Sequence, residues 1–203
     1  VMEESPVGEH QSNGEVENAV GRVQGQIRTI RDGLETRLGK RLPGNHNLIP
    51  WIVCHAAETI GRYQLGAVGR TAYERIRGRR FNKESPELGE RVHYLKLRSL
   101  GRNKAESRWG DGIFLGIRDE SGEYKIGTED GMVKCRTYKP MGSHKERWSW
   151  EEIEKVRGLP WQPTPGIAGY EIPTTAIVPD KGEKPGGGAK TRERNEAKYK
   201  GLY

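Results

Sequence analysis

The chain has 203 residues, 35 Lys and Arg against 28 Asp and Glu, a net charge of +7 with a pI near 9.4, and only 33% hydrophobic residues at a mean hydropathy of −0.87. So polar a balance, with 28 Gly and 11 Pro, implies that part of the chain buries no core, while the absence of any apolar run of membrane-span length argues against a membrane protein. Two widely separated cysteines, Cys54 and Cys135, without a CxxC spacing argue against a disulfide framework or a zinc knuckle. The opening VMEESPVGEH has neither the basic nor the apolar region of a signal peptide, so an intracellular location is expected, and the excess of positive charge favours an anionic partner.

The first ten residues read as a loop. Ser12 followed by Glu15 spells a capping box. Beyond it, Val16, Val20, Val23, Ile27, Ile30, Leu34 and Leu38 recur at spacings of three and four, which confines them to one stripe of a helix about six turns long. At about 100° per residue, Glu17 lies beside that stripe in line with Gln24, Arg28 and Arg31. A carboxylate that shares a flank with two guanidinium groups suits a site where a metal ion meets phosphate. Gly39 and the Pro43-Gly44-Asn45 cluster end the helix.

Asn47 is placed to cap a second helix, with Pro50 in its first turn. Its stripe of Trp51, Ile52, His55, Ala56, Thr59, Ile60 and Tyr63 predicts packing against the first helix. His55 adjoins Cys54, but no second ligand pair stands at metal spacing, so both read as packing residues. After a joint at Gly66–Gly69, Thr71 starts a short helix over 72–77 that Gly78 ends. The stretch from Arg41 to Ser85 holds eight basic residues against three acidic, among them Arg75, Arg77, Arg79 and Arg80. Guanidinium forks match phosphate oxygens in bidentate geometry, so this run is a candidate phosphate contact; a solvated basic turn is the plainer alternative.

From Leu88 the period changes to two. Val92, Tyr94 and Leu97 predict one strand, Ile113–Ile117 a second, Tyr124–Ile126 a third and Met132–Tyr138 a fourth, separated by glycine turns. Short strands so spaced describe a small antiparallel barrel. Arg98, Arg102, Lys104 and Arg108 form a basic loop that can lie along a nucleic-acid backbone or be simply solvated. Trp148–Val156 predicts one helix capped by Ser149. Pro160, Pro163 and Pro165 then stop regular structure, and Thr174–Tyr203 reads as a flexible basic tail.

Three stretches carry a family resemblance. Gln11–Asn18, QSNGEVEN, resembles the Q-N-G-x-x-E element of integrases from copia-type retrotransposons and retroviruses. Arg70–Phe81, RTAYERIRGRRF, resembles the family's Thr-Pro-Tyr-Glu helix and basic turn, and Gly110–Ile126, GDGIFLGIRDESGEYKI, its K-G-I-F-L-G-Y strand pair. Together they cover roughly Ser5 to Pro140 in the family's order. The chain departs from the pattern at Glu15, where the family has small or apolar residues, and at Asn18, where it has a basic one.

The resemblance implies an α+β chain: the helical C-terminal end of an RNase H-like integrase core, then a small antiparallel SH3-like β-barrel and a disordered tail. The expected boundaries are 1–66 for the end of the core, 67–87 for a connecting helix and basic turn, 88–140 for the barrel, 141–159 for a short helix and 160–203 for the tail. It also implies that Glu17 is the last of three catalytic acids and a ligand of Mg²⁺, with Asn13 and Gly14 forming the motif's turn. An RNase H-like core needs a central sheet and two aspartates before this helix, and the preceding residues hold neither, so the chain resembles the tail end of a Pol polyprotein's integrase. Glu17 alone is not expected to bind Mg²⁺ or to support catalysis. The implied partners are DNA and the rest of the integrase or Pol polyprotein, and the implied location is the nucleus; the apolar stripe from Val16 to Leu38 is expected to lack its sheet partner and to be exposed or packed only on the second helix, which favours association with a second copy. Two other readings stand beside this one: a nucleic-acid-binding module that works without metal, and a transposon remnant without function.

Overall fold

The computed structural model describes residues 14–97 and 107–167. Asn13, the capping residue Ser12, the basic positions Arg98, Arg102 and Lys104, and the tail from 168 onward lie outside the described residues. Helix α1 (Gly14–Leu38) packs on α2 (Leu48–Tyr63), and the loop between them is formed by the sequence's glycine and proline cluster. The loop is held from α1: Arg31 Nη2 donates to the Leu42 carbonyl at 2.6 Å, and Glu35 Oε1 accepts from both Arg31 Nε at 2.7 Å and the Leu42 amide at 2.9 Å. These bonds seat Leu42 in the core at 1% exposure.

The apolar stripe of α1 is divided. Leu34 is buried in one core cluster with Leu48, Trp51 and Ile52 of α2 and Ile113 and Leu115 of the sheet, and Ile27, Ile30 and Leu38 pack against that cluster. The expectation that this stripe lacks a sheet partner is therefore corrected for its C-terminal half. Its N-terminal half differs: Val16 is 63% and Val20 49% exposed, and no residue from 14 to 25 is buried. Helix α2 buries Leu48, Trp51, Ile52 and Ala56 at helical spacing. Asn47 does not cap it through its side chain, because that amide instead donates to the Val156 carbonyl at 3.1 Å. Trp51 Nε1 makes a parallel tie to the Gly158 carbonyl at 3.1 Å.

Helix α3 (Ala72–Arg77) matches its expected bounds, with a capping box between Thr71 and Glu74 and Gly78 left-handed at φ 71°. The fold class is α+β, built on an open five-stranded antiparallel sheet in the order β4-β3-β2-β1-β5. Its strands are β1 (Arg91–Leu95), β2 (Trp109–Ile117), β3 (Tyr124–Thr128), β4 (Gly131–Cys135) and β5 (Tyr138–Pro140). The single strand expected over 132–138 is thus two, at opposite edges of the sheet. Only Arg136 and Thr137 join them, a reach of about 10 Å at most for an extended connection, so the sheet curls until its edges approach. The Leu95 amide, bonded to the Thr137 carbonyl at 3.0 Å, carries the pairing of β1 with β5 into this connection.

Strand β2 is the centre of the molecule. Its residues from Gly112 to Ile117 are all buried, because Ile113 and Leu115 face the helical core while Phe114 and Ile117 face Val92, Tyr124, Ile126 and Cys135 inside the curl. A strand covered on both faces reads as a continuous apolar run. Two short helices follow the sheet, α4 (His144–Arg147) and α5 (Trp150–Glu154), the latter capped by Ser149 as expected but shorter. Trp148, between them, is buried. The chain then returns over the β3–β4 hairpin: the Arg157 amide bonds Thr128 O at 3.0 Å and the Met132 amide bonds Pro163 O at 2.7 Å. The prolines expected to begin a free tail therefore belong, as far as Pro163, to a strap on the sheet.

Candidate nucleic-acid interface

The basic run around α3 stands on a rigid support. Phe81 takes edge-to-face contacts from Tyr63 and Tyr73, with ring centroids 5.8 and 5.3 Å away, and the Arg62 guanidinium lies 4.7 Å over its ring. These contacts fix the segment after Gly78 against the end of α2. Arg75, Arg77 and Arg79 are exposed and have no partner among the described residues. Arg80 is 82% exposed and bonds Glu74 Oε1 at 3.2 Å through Nε. Three uncompensated guanidinium groups, and a fourth with spare donors, leave this segment equipped for phosphate.

Beneath it lies a buried cluster that the sequence reading missed. Arg62, with its side chain 4% exposed, donates to Asp119 Oδ1 at 2.6 and 3.1 Å and to the Ile117 carbonyl at 2.7 Å. Glu58 Oε2 stands 3.2 Å from Arg62 Nη2. It receives no directed hydrogen bond, since the two protons of that nitrogen already serve Ile117 and Asp119. Its other oxygen takes Lys125 Nζ at 2.5 Å. His55 completes the group, edge-on to Phe114 at 6.1 Å with Nδ1 unpaired. Burial, then Arg62 and Lys125, push its imidazole down to about 4, so it is neutral at physiological pH. Gly116, at φ 147° beside the β2 bulge, lets Glu58 approach the strand. The available signal was an i, i+4 pair of opposite charge, Glu58 and Arg62, on a stripe with Ile52, His55 and Thr59. The cluster clamps α2 to the sheet and positions Asp119 next to the basic run.

On α1, Arg31 is spent on Glu35 and Leu42 and serves the loop, whereas Arg28 is exposed without a partner among the described residues. Glu17 is exposed as well. It precedes the anchoring residue Leu34 by 17 positions, about 25 Å along the axis. Gly14 opens the helix. For Mg²⁺, which the family resemblance implies, the donor set at Glu17 is one exposed carboxylate facing water, and among the described residues no three His, Cys, Asp or Glu side chains gather as metal ligands. These residues do not fit the ion. Cys54 and His55 likewise form no ligand set, and Cys54 and Cys135 are both free thiols.

Of the basic loop between β1 and β2, Arg108 is described. It is exposed next to Trp109, over whose ring Lys139 Nζ lies at 4.4 Å. This second group of cations stands at the start of β2, and the α3 run stands at its end beside Ile117 and Asp119. Eight residue steps of strand separate the two, about 26 Å, so they form two separate contacts and not one patch. Among the described residues, no helix is long and apolar enough to cross a membrane. Comparison of the chain with protein-family models, with curated proteins and with solved structures yields no match.

Proposed function

We propose that this chain is the DNA-binding C-terminal part of a copia-type retrotransposon integrase and that it holds nucleic acid through backbone phosphates. One observation carries the binding: Arg75, Arg77 and Arg79 are exposed, unpaired among the described residues and mounted on a segment pinned by Phe81. The motif order around Glu17, Tyr73–Glu74 and the GIFLGI strand supports the family. A strongly curled sheet, with β4 and β5 joined by two residues, supports the SH3-like reading of residues 88–140. Helix α1, with Val16 and Val20 exposed beside Glu17, supports the reading of residues 1–66 as the end of an RNase H-like core, completed by the rest of a Pol polyprotein or by self-association. The nucleus is the compartment that this function requires. The isolation of Glu17 favours a chain that binds DNA without itself transferring strands, so Mg²⁺-dependent joining belongs to the longer polypeptide.

The test is fluorescence anisotropy of the full chain with two unrelated DNA duplexes. With on the order of four to six phosphate contacts, affinity falls by roughly two to three decades between about 50 and 200 mM salt, alike for both sequences. Replacing Arg75, Arg77 and Arg79 by Ala flattens the log–log salt slope by about three units at most. Binding that ignores salt, or that survives the triple substitution unchanged, refutes the proposal.

A further inference from the structure

A cleft of about 340 Å³ opens between residues 79–83 and the β2–β3 turn at 118–122. Its two walls come from different elements, and both are fixed. Lys83 Nζ donates to the Gly122 carbonyl and sits 4.0 Å over the Tyr124 ring, while Phe81 and Asp119 are both held by Arg62. The carboxylates at the cleft are already engaged: Asp119 by Arg62 and Glu120 by Arg118 at 3.0 Å. The donors are not. Arg79 and Asn82 have no partner among the described residues, and Arg80 and Arg118 bond their carboxylates through Nε, which leaves their terminal nitrogens with donors to spare.

We propose that this cleft is a phosphate subsite, taking the phosphate of a single nucleotide between Arg79 on one wall and Arg118 on the other. It rests on the nucleic-acid reading above and narrows it to one place. Arginines supplied by both walls of a fixed cleft suit a tetrahedral anion, whose oxygens accept from guanidinium donors on either side. The volume lies at the lower end of small-ligand pockets, about 300–1,000 Å³, room for one nucleotide of a bound strand. Asn82 and Tyr73 also line the cleft, and the Asn82 amide can supply a polar contact for the sugar or base. A phosphate bound here bridges the α3 segment and the sheet.

The experiment is an amide-shift titration of the full chain at low salt with a 5′-phosphorylated dinucleotide, beside inorganic phosphate and an unphosphorylated dinucleotide. The 5′-phosphorylated dinucleotide moves the Asn82, Ser121 and Gly122 signals saturably and binds more tightly than either control. Arg79→Ala and Arg118→Ala each weaken it about tenfold, the size of one charge-assisted hydrogen bond. Ser121→Asp, at an exposed turn, places a carboxylate at the mouth and abolishes the response without disturbing the core, whereas Lys134→Ala on β4 leaves it unchanged. Duplex binding in the anisotropy assay without these shifts, or equal affinity for inorganic phosphate, overturns the subsite. A dinucleotide response without duplex binding upholds the subsite and removes the duplex reading.

Discussion

Replacing Arg62 by Met tests the clamp between the helices and the sheet. The substitution keeps most of the side-chain length but removes the charge at a position 4% exposed, together with its bonds to Asp119 and Ile117. Breaking a buried ion pair from one side destabilises by about 3–5 kcal/mol, because the remaining groups stay buried and unpaired. The consequences are unequal here. Asp119 is 39% exposed and recruits water, and Glu58 retains Lys125 at 2.5 Å. The Ile117 carbonyl, inside the core, loses its side-chain donor. The expected loss is therefore at the lower end, about 3 kcal/mol, which in a chain of this size lowers Tm by about 6–12 °C. Urea and thermal unfolding of the two proteins measure it, and hydrogen exchange locates it: protection falls first between Tyr73 and Lys83, since Phe81 loses the guanidinium over its ring. A loss under about 1 kcal/mol places the cluster among ordinary surface pairs and refutes the assignment of Arg62 as the clamp.

Three further outcomes are expected. The His55 imidazole, moved from 6.5 to about 4 by folding, is charged first in the unfolded chain. Its contribution is complete above pH 6.5 and is lost as pH falls from 6.5 through 4, about 3 kcal/mol in all; urea midpoints compared between pH 7.5 and 4.5 show most of this decline, about 2.5 kcal/mol, and that part is missing in His55→Gln. Gly158 has φ +84°, and a Cβ there collides with the Pro163 carbonyl, so Gly158→Ala destabilises by about 2 kcal/mol or more. By contrast Gly44→Ala, in open space, stays within about 0.5 kcal/mol in the same urea titration. Thr71→Ala removes a reciprocal capping box and loses about 1 kcal/mol, and Thr71→Ser restores it, as read by thermal unfolding; no difference between Ala and Ser at 71 contradicts the cap.

What the sequence determined by itself is local. The 3.6 period of α1, the Thr71–Glu74 cap with Gly78, and the glycine turns between strands all depend on neighbours within a few residues, so their spelling is complete in a short window. The exposed arginines at 75, 77 and 79 were legible for the same reason, as a dense basic run. Long-range partners decided the rest. Nothing near Asn47 says that its amide leaves the helix start for Val156, a residue 109 positions away, and nothing near Arg31 marks it as the fastening of Leu42 rather than a phosphate contact. The division of residues 132–140 into two strands at opposite edges follows from the curl of the whole sheet, which an alternating pattern does not encode. The group that Asp119, Glu58 and Lys125 form around the buried Arg62 joins residues up to 67 apart. Taken singly in sequence they are ordinary surface charges, and only the burial imposed by α2 on β2 strips their water and turns them into the support of the basic segment.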